Sequence, residues 1–138
     1  MKTRAATLDD FQVLFTLWKD VGLQLYPEQD EQVRFESMVT LNPDLCILLE
    51  DNDGKVIGSI LGGFDGRTAS VHRLAIHPSL QKKGMGSDLL RELEQALRAR
   101  GVKKLSAQIH ITNTAVVPFY EKHGFNEMTY VKTYFKDI

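Results

Sequence analysis

Among its 138 residues the sequence has one cysteine, Cys46, so no internal disulfide can staple the fold. That cysteine stands in the apolar run "LCILLE", where a small buried hydrophobe in a strand is the expected role, rather than a nucleophile. No segment approaches the ~20 uninterrupted apolar residues that a membrane span needs. The start, "MKTRAATLDD", has basic residues but no apolar core of a secretory signal. A cytoplasmic protein with no membrane partner is therefore expected. Charge of one sign is also lacking: 17 Lys and Arg balance 18 Asp and Glu for a net charge of -1, which leaves no broad footprint for nucleic acid. Repeats, low-complexity tracts and Pro/Gly/Ser-rich linkers are absent, so one domain over residues 1–138 is expected. That length buries a core without disulfide or metal staples, and no metal centre is expected.

What is present alternates between two periods. "TRAAT" reads as a short first strand, after which Thr7 is placed to cap a helix with Leu8, Phe11, Leu14, Phe15 and Trp18 on one stripe. That stripe accounts for Trp18 as core. "EQVRFESMVTL" suits a second helix, ended before Asn42-Pro43. "LCILLE" and "VIGSILGGF" flank "DNDGK", a strong hairpin signal, and Glu50, Asp51 and Asp53 at its turn read as surface charge. "TASVHRLAI" is a further strand. From Gly84 to Arg100 the residues Leu89, Leu90, Leu93 and Leu97 form one helical stripe stopped by Gly101. "KKLSAQIHI" reads as a strand, "TNTAVVPFYEKHGF" as a short helix ended by Gly124, and "MTYVKTYF" as a final β-rich segment. The order β-α-α-β-β-β-α-β-α-β predicts an α/β fold around a mixed, mostly antiparallel sheet flanked by helices.

The stretch "LQKKGMGSDLL" joins a strand to the long helix. A dinucleotide fingerprint needs a third glycine where Leu89 stands, and a Walker A loop needs four residues between its glycines, so neither applies. What stands there is Gln81-x-x-Gly84-x-Gly86. Glycines let successive amides turn inward, and the unpaired N–H groups of the helix start point to the same spot. Such an anion nest suits a pyrophosphate, with Lys82 and Lys83 adding charge; the alternative is a plain helix start with solvated lysines.

Two blocks together resemble the GNAT superfamily of N-acetyltransferases. The first is Ile76-His77-Pro78 followed by Gln81-Lys82-Lys83-Gly84-Met85-Gly86. The second is Asn113, then Phe119-Tyr120 and Gly124-Phe125. Among its branches the small bacterial ribosomal-protein alanine acetyltransferase type is most similar. The resemblance implies acetyl-coenzyme A as cosubstrate, wedged between splayed strands. Backbone groups of Leu74, Ala75 and Ile76 would pair with its pantetheine amides like an added strand. Gln81 and the amides of Lys82, Lys83, Gly84, Met85, Gly86 and Ser87 would hold the pyrophosphate, and Asn113 would contact the ligand or cap a helix. Tyr120 would stand near the sulfur and protonate or hydrogen-bond the departing thiolate. Full proton transfer to a thiolate from a phenol near pKa 10 would cost roughly 2 kcal/mol, so charge stabilisation is its main expected contribution.

The implied reaction is direct attack of a neutral amine on the thioester. In the resembled branch a glutamate five residues before the motif asparagine is the base; here that position is Gln108, which cannot accept a proton at neutral pH. A water relay, His72 or His110 remain for that role, since histidine titrates near pH 6.5. A lysine amine is neutral in only about one molecule in two thousand at pH 7, against roughly one in seven for an α-amine, so an α-amino group or a small-molecule amine of reduced pKa is favoured. Tyr26, Phe35, Tyr130 and Tyr134 lie in regions that build the acceptor site in this superfamily, and each is equally a core candidate. The Gln108 departure also leaves open a noncatalytic acyl-coenzyme A binding module. Homodimerisation fits small members of the superfamily and has no signature in the sequence.

Overall fold

The Asp-Gly hairpin forms where its sequence places it: strands β2 (Cys46–Glu50) and β3 (Val56–Phe64) pair antiparallel, with the Asp51 carboxylate accepting the N–H groups of Asp53 and Lys55 across the turn. In the computed structural model, which describes all of residues 1–138, this hairpin is the middle of a five-stranded sheet. The strand order is β1 (Lys2–Ala5), β2, β3, β4 (Ala69–Ile76) and β5 (Leu105–Ala107). Every neighbouring pair is antiparallel except β4 with β5. The expected mixed, mostly antiparallel α/β sheet is therefore the one observed.

Helices α1 (Phe11–Val21) and α2 (Glu28–Leu41) bring Phe11, Leu14, Phe15, Trp18, Phe35 and Val39 onto one face of the sheet, against Cys46, Leu48, Val56, Leu61 and Ala75. The rings of Phe11, Trp18 and Phe35 meet at centroid distances of 5.9–6.4 Å. Successive strand residues point to opposite faces. Leu61 joins the aromatic cluster, while a Cβ on Gly62 would lie 2.4 Å from Leu93. Helix α3 (Met85–Ala99) thus covers the other face with Leu89, Leu90, Leu93 and Leu97, each burial contributing roughly 1.5–3 kcal/mol.

These elements belong to one unit, Met1–Gln108; the second, Ile109–Ile138, holds a 3₁₀ turn (Thr114–Val116) and α4 (Val117–Lys122). Gly124, at φ 88°, takes the left-handed conformation after α4 that glycine accepts without strain.

Several expectations change. The helix attributed to Thr7 begins as a 3₁₀ turn over Leu8–Asp10, and Leu8 is exposed rather than part of the stripe. The strand expected over 103–111 is ordered as a strand only at Leu105–Ala107, and "MTYVKTYF" forms no strand at all. Tyr130, Tyr134 and Phe135 there are more than 80% exposed; strand propensity is a preference for a pleated, half-buried surface, and without one it makes no ladder. Glu50 is not surface charge: it is buried and accepts the Arg4 Nε–H at 2.8 Å.

Candidate active site

The geometry that matters starts in β4. Ala69, Ser70 and Val71 pair on one side with Phe64, Gly63 and Gly62 of β3, and on the other with Leu105, Ser106 and Ala107 of β5. Beyond Val71 the ladder to β3 continues to Ile76, whereas β5 has ended. The second half of β4 therefore presents a strand edge to which no strand is paired. The register also breaks there: Leu61 faces His72 and Ser59 faces Ala75, so Arg73 and Leu74 together oppose the single residue Ile60. This is a β-bulge, which re-aims the backbone and the side chains next to it.

Arg73 sits in the bulge at φ 51°, a left-handed conformation that costs a non-glycine residue about 1–2 kcal/mol. Three elements hold it. Its carbonyl accepts the Ser59 hydroxyl at 2.7 Å, and Ser59 Oγ in turn accepts the Trp18 Nε1–H at 3.0 Å. Its guanidinium lies 5.6 Å from the Trp18 ring centroid and donates from Nη2 to Glu31 at 2.5 Å. Trp18 is core, as its spacing predicts, but its ring N–H also needs the Ser59 partner.

His72 and Ser70 lie on the face opposite Val71 and Ala69, the face covered by α1 and α2; the Ser70 Oγ is 2.7 Å from His72 Nε2. Although His72 keeps an exposed edge, the surrounding protein and then the neighbouring Arg73 charge lower its pKa, so the ring is neutral at pH 7. Cys46 is fully buried, and loss of water raises its thiol to about 11, which leaves it a packing residue.

After β4, the Gln81 side-chain amide donates to the Ile76 carbonyl at 3.0 Å, so this side chain fastens the loop to the end of the strand. Lys82 at φ 64° and Gly84 at φ 85° are both left-handed, and α3 starts at Met85 with Gly84 as its cap. The first intrahelical bond runs from the Asp88 N–H to the Gly84 carbonyl, so the amides of Met85, Gly86 and Ser87 precede the helical ladder. A pyrophosphate suits such a turn. Lys82 and Lys83 are exposed beside it, and the one opposing charge in the first turn, Asp88, is paired with Arg91 at 3.1 Å. Ile76 is buried, Ala75 is core, and Leu74 is half-buried.

In the second unit Tyr120 is half-buried on α4, its ring edge-on to Phe119 at 5.3 Å and to Phe125 at 5.2 Å. Burial raises its pKa, so it stays a neutral phenol through the physiological range. Asn113 precedes the 3₁₀ turn but its side chain makes no capping bond, which removes the cap as an account of it. His110 is exposed with Nδ1 2.7 Å from the Thr112 hydroxyl, and Gln108 is exposed at the end of the first unit. Of the acceptor candidates Phe35 is core, whereas Tyr26, Tyr130 and Tyr134 are exposed. Periodicity did not disclose the Glu31–Arg73 pair; the only signal was a glutamate and an arginine at positions that a buried face fills with apolar residues.

An open strand edge beside a glycine-capped helix start suits an extended ligand that carries its own amide groups and an anionic end. The model of the acetyltransferase (GNAT) family matches residues 10–125, and the chain belongs to that family. It is 36% identical over 122 residues to an acetyltransferase of Pectobacterium atrosepticum, covering 88% of this chain and 85% of the relative. Among solved structures it is similar to the ribosomal-protein-S18-alanine N-acetyltransferase of Escherichia coli, with TM-score 0.75, 22% identity and 93% and 79% of the two chains covered. It is likewise similar to PaiA N-acetyltransferase of Thermoplasma acidophilum in complex with coenzyme A, with TM-score 0.75, 20% identity and coverage of 91% and 89%. The family expectation and the fold are borne out. The protein is an acyl-coenzyme A-dependent acyltransferase with acetyl-coenzyme A as cosubstrate, and the noncatalytic module is not favoured. No helix is long and apolar enough to cross a membrane.

Proposed function

We propose that the protein transfers the acetyl group of acetyl-coenzyme A to a primary amine, an α-amino group or a small-molecule amine of reduced pKa, by direct attack on the thioester. The observation that carries this reading is the half-open β4: backbone groups of Leu74, Ala75 and Ile76 lie past the last β5 pair and lead straight into the glycine-capped start of α3. The pantetheine amides pair with that edge. Gln81 shapes the turn, and the amides of Lys82 to Ser87, with the lysine charges, take the pyrophosphate. Asn113, whose side chain makes no capping bond, is the ligand-contacting residue that the family resemblance implies.

The amine nitrogen forms its bond to the acetyl carbon as the carbon–sulfur bond breaks. A proton leaves the amine and one reaches the thiolate. His72 takes the first: when its Nε2–H is donated to Ser70, Nδ1 holds a free lone pair, and the lowered pKa keeps the ring unprotonated at pH 7. Tyr120, a phenol held neutral by burial, donates toward the sulfur. A histidine base of lowered pKa suits an amine that is already partly neutral, which is why an α-amine fits better than a lysine side chain. The single domain and the cytoplasmic setting belong to this same reading.

Free thiol release from acetyl-coenzyme A, followed across a panel of α-amines, small-molecule amines and lysine peptides over pH 6–9, tests it. Release that depends on α-amine and falls as a group below the ordinary histidine range becomes protonated supports the reading; faster release with lysine side chains than with matched α-amines rejects the acceptor class. The substitution H72Q should remove the acid limb of the profile, and Y120F should lower kcat by about 10–100-fold with little change in KM for acetyl-coenzyme A.

A further inference from the structure

Glu31 is a carboxylate buried to 2% exposure on α2, in a helix whose other buried residues, Phe35 and Val39, are apolar. Burying an ion pair where apolar residues would pack is seldom a gain in stability. Its partner is the one residue of β4 with a left-handed backbone. Glu31 Oε1 takes the Arg73 Nη2 at 2.5 Å and also the backbone N–H of Tyr26 at 3.0 Å. Ser59 from β3 holds the Arg73 carbonyl, and Trp18 from α1 lies against its guanidinium. Helices α1 and α2 and strand β3 thus all fasten a single strained residue. Strain persists only when the surroundings over-determine it, and it gathers where geometry serves function.

We propose that Glu31 and Arg73 are positioning residues: the pair pins the β4 bulge so that the edge over Leu74, Ala75 and Ile76 keeps the direction that acetyl-coenzyme A pairs with. This rests on the reading that the second half of β4 receives the cosubstrate. Because the same carboxylate holds Tyr26, the connection between α1 and α2 is tied to the cosubstrate edge through one side chain. Neither residue touches the reacting atoms.

The test compares E31Q, R73K and R73G with the wild type in three measurements: the dissociation constant of coenzyme A by calorimetry, kcat and KM for acetyl-coenzyme A, and the melting temperature. R73G is the informative variant, since glycine takes φ 51° without strain while the side-chain anchor is lost. The expected result is a rise of about tenfold in KM and in the dissociation constant for both E31Q and R73G, with kcat changing less. R73K should recover part of the loss, as it keeps the charge without the planar fork. R73G relieves the backbone strain but leaves the Glu31 carboxylate without its counter-charge. The double variant E31Q/R73G, which removes that charge as well, should therefore melt closer to the wild type than R73G does while keeping the raised KM, which separates positioning from stability; should E31Q fail to fold, R73G and R73K decide alone. Wild-type coenzyme A affinity and KM in a folded R73G would overturn the proposal. A wild-type protein that binds no coenzyme A would instead overturn the reading beneath it, and this proposal with it.

Discussion

The two faces of the sheet are built on different rules. Toward α3 the contact is apolar and close: Leu89, Leu90, Leu93 and Leu97 are buried, and Gly62 leaves room for Leu93 where any Cβ would collide. Toward α1 and α2 an aromatic cluster of Phe11, Phe15, Trp18 and Phe35 has a polar line running through it, Trp18 to Ser59 to Arg73 to Glu31. One face is a packing surface whose energy follows from area. The other carries charge and hydrogen bonds that an apolar core does without, and it is the face on which His72 and Ser70 stand. The difference teaches that apolar packing and buried polar contacts are divided between opposite sides of the same strands.

The contrast can be broken most forcefully on the α3 side. Leu93→Ala should cost about 2–5 kcal/mol of unfolding free energy in urea titration, because the cavity closes only in part under Gly62. On the other face Glu31→Ala should cost less, about 1–3 kcal/mol, since Arg73 retains some solvent contact; the double change Glu31→Leu with Arg73→Met should recover most of that. A double variant as unstable as the single one would show that the pair itself stabilises the fold.

pH should separate the faces by smaller amounts. Cys46, on the α1 and α2 face, has its folded pKa raised by burial, from 9.0 to about 11. The stability linked to it is intact below pH 9 and is lost as pH rises toward 11, amounting to about 1 kcal/mol at pH 10. Cys46→Ala should flatten that alkaline decline. Asp10, at the start of α1, has its pKa lowered first by the Arg4 hydrogen bond. Its contribution is present above the ordinary value of 3.8 and disappears as pH falls through the lower folded value, a loss that Asp10→Asn should abolish in acid unfolding followed by circular dichroism.

Much of this fold was legible because its signals are local. The Asp-Gly turn, the α3 leucines, and the glycine stops at Gly101 and Gly124 each encode their element within a few residues, and each appears where the spacing put it. The left-handed turn that starts α3 was legible because its glycine spacing is fixed in sequence. What stayed hidden is non-local. The burial of Glu50 depends on Arg4, forty-six positions away, and Glu31 meets Arg73 across forty-two. The β4 bulge is a mismatch between two strands, so no single strand's alternation reports it. The C-terminal "MTYVKTYF" failed in the opposite sense: its propensity was plain, but propensity without a partner forms no strand.

The Gln81 amide bond to the Ile76 carbonyl has a thermodynamic consequence. The turn that carries Lys82 and Gly84 is fastened to the end of β4 by the protein's own side chain, so its backbone is ordered as part of folding. For the pyrophosphate subsite proposed above, binding then needs little further ordering of the chain, and its calorimetric signature should carry only a small entropic penalty from the loop. With Gln81→Ala that ordering would fall instead on the binding step, and the affinity lost should appear mainly as entropy.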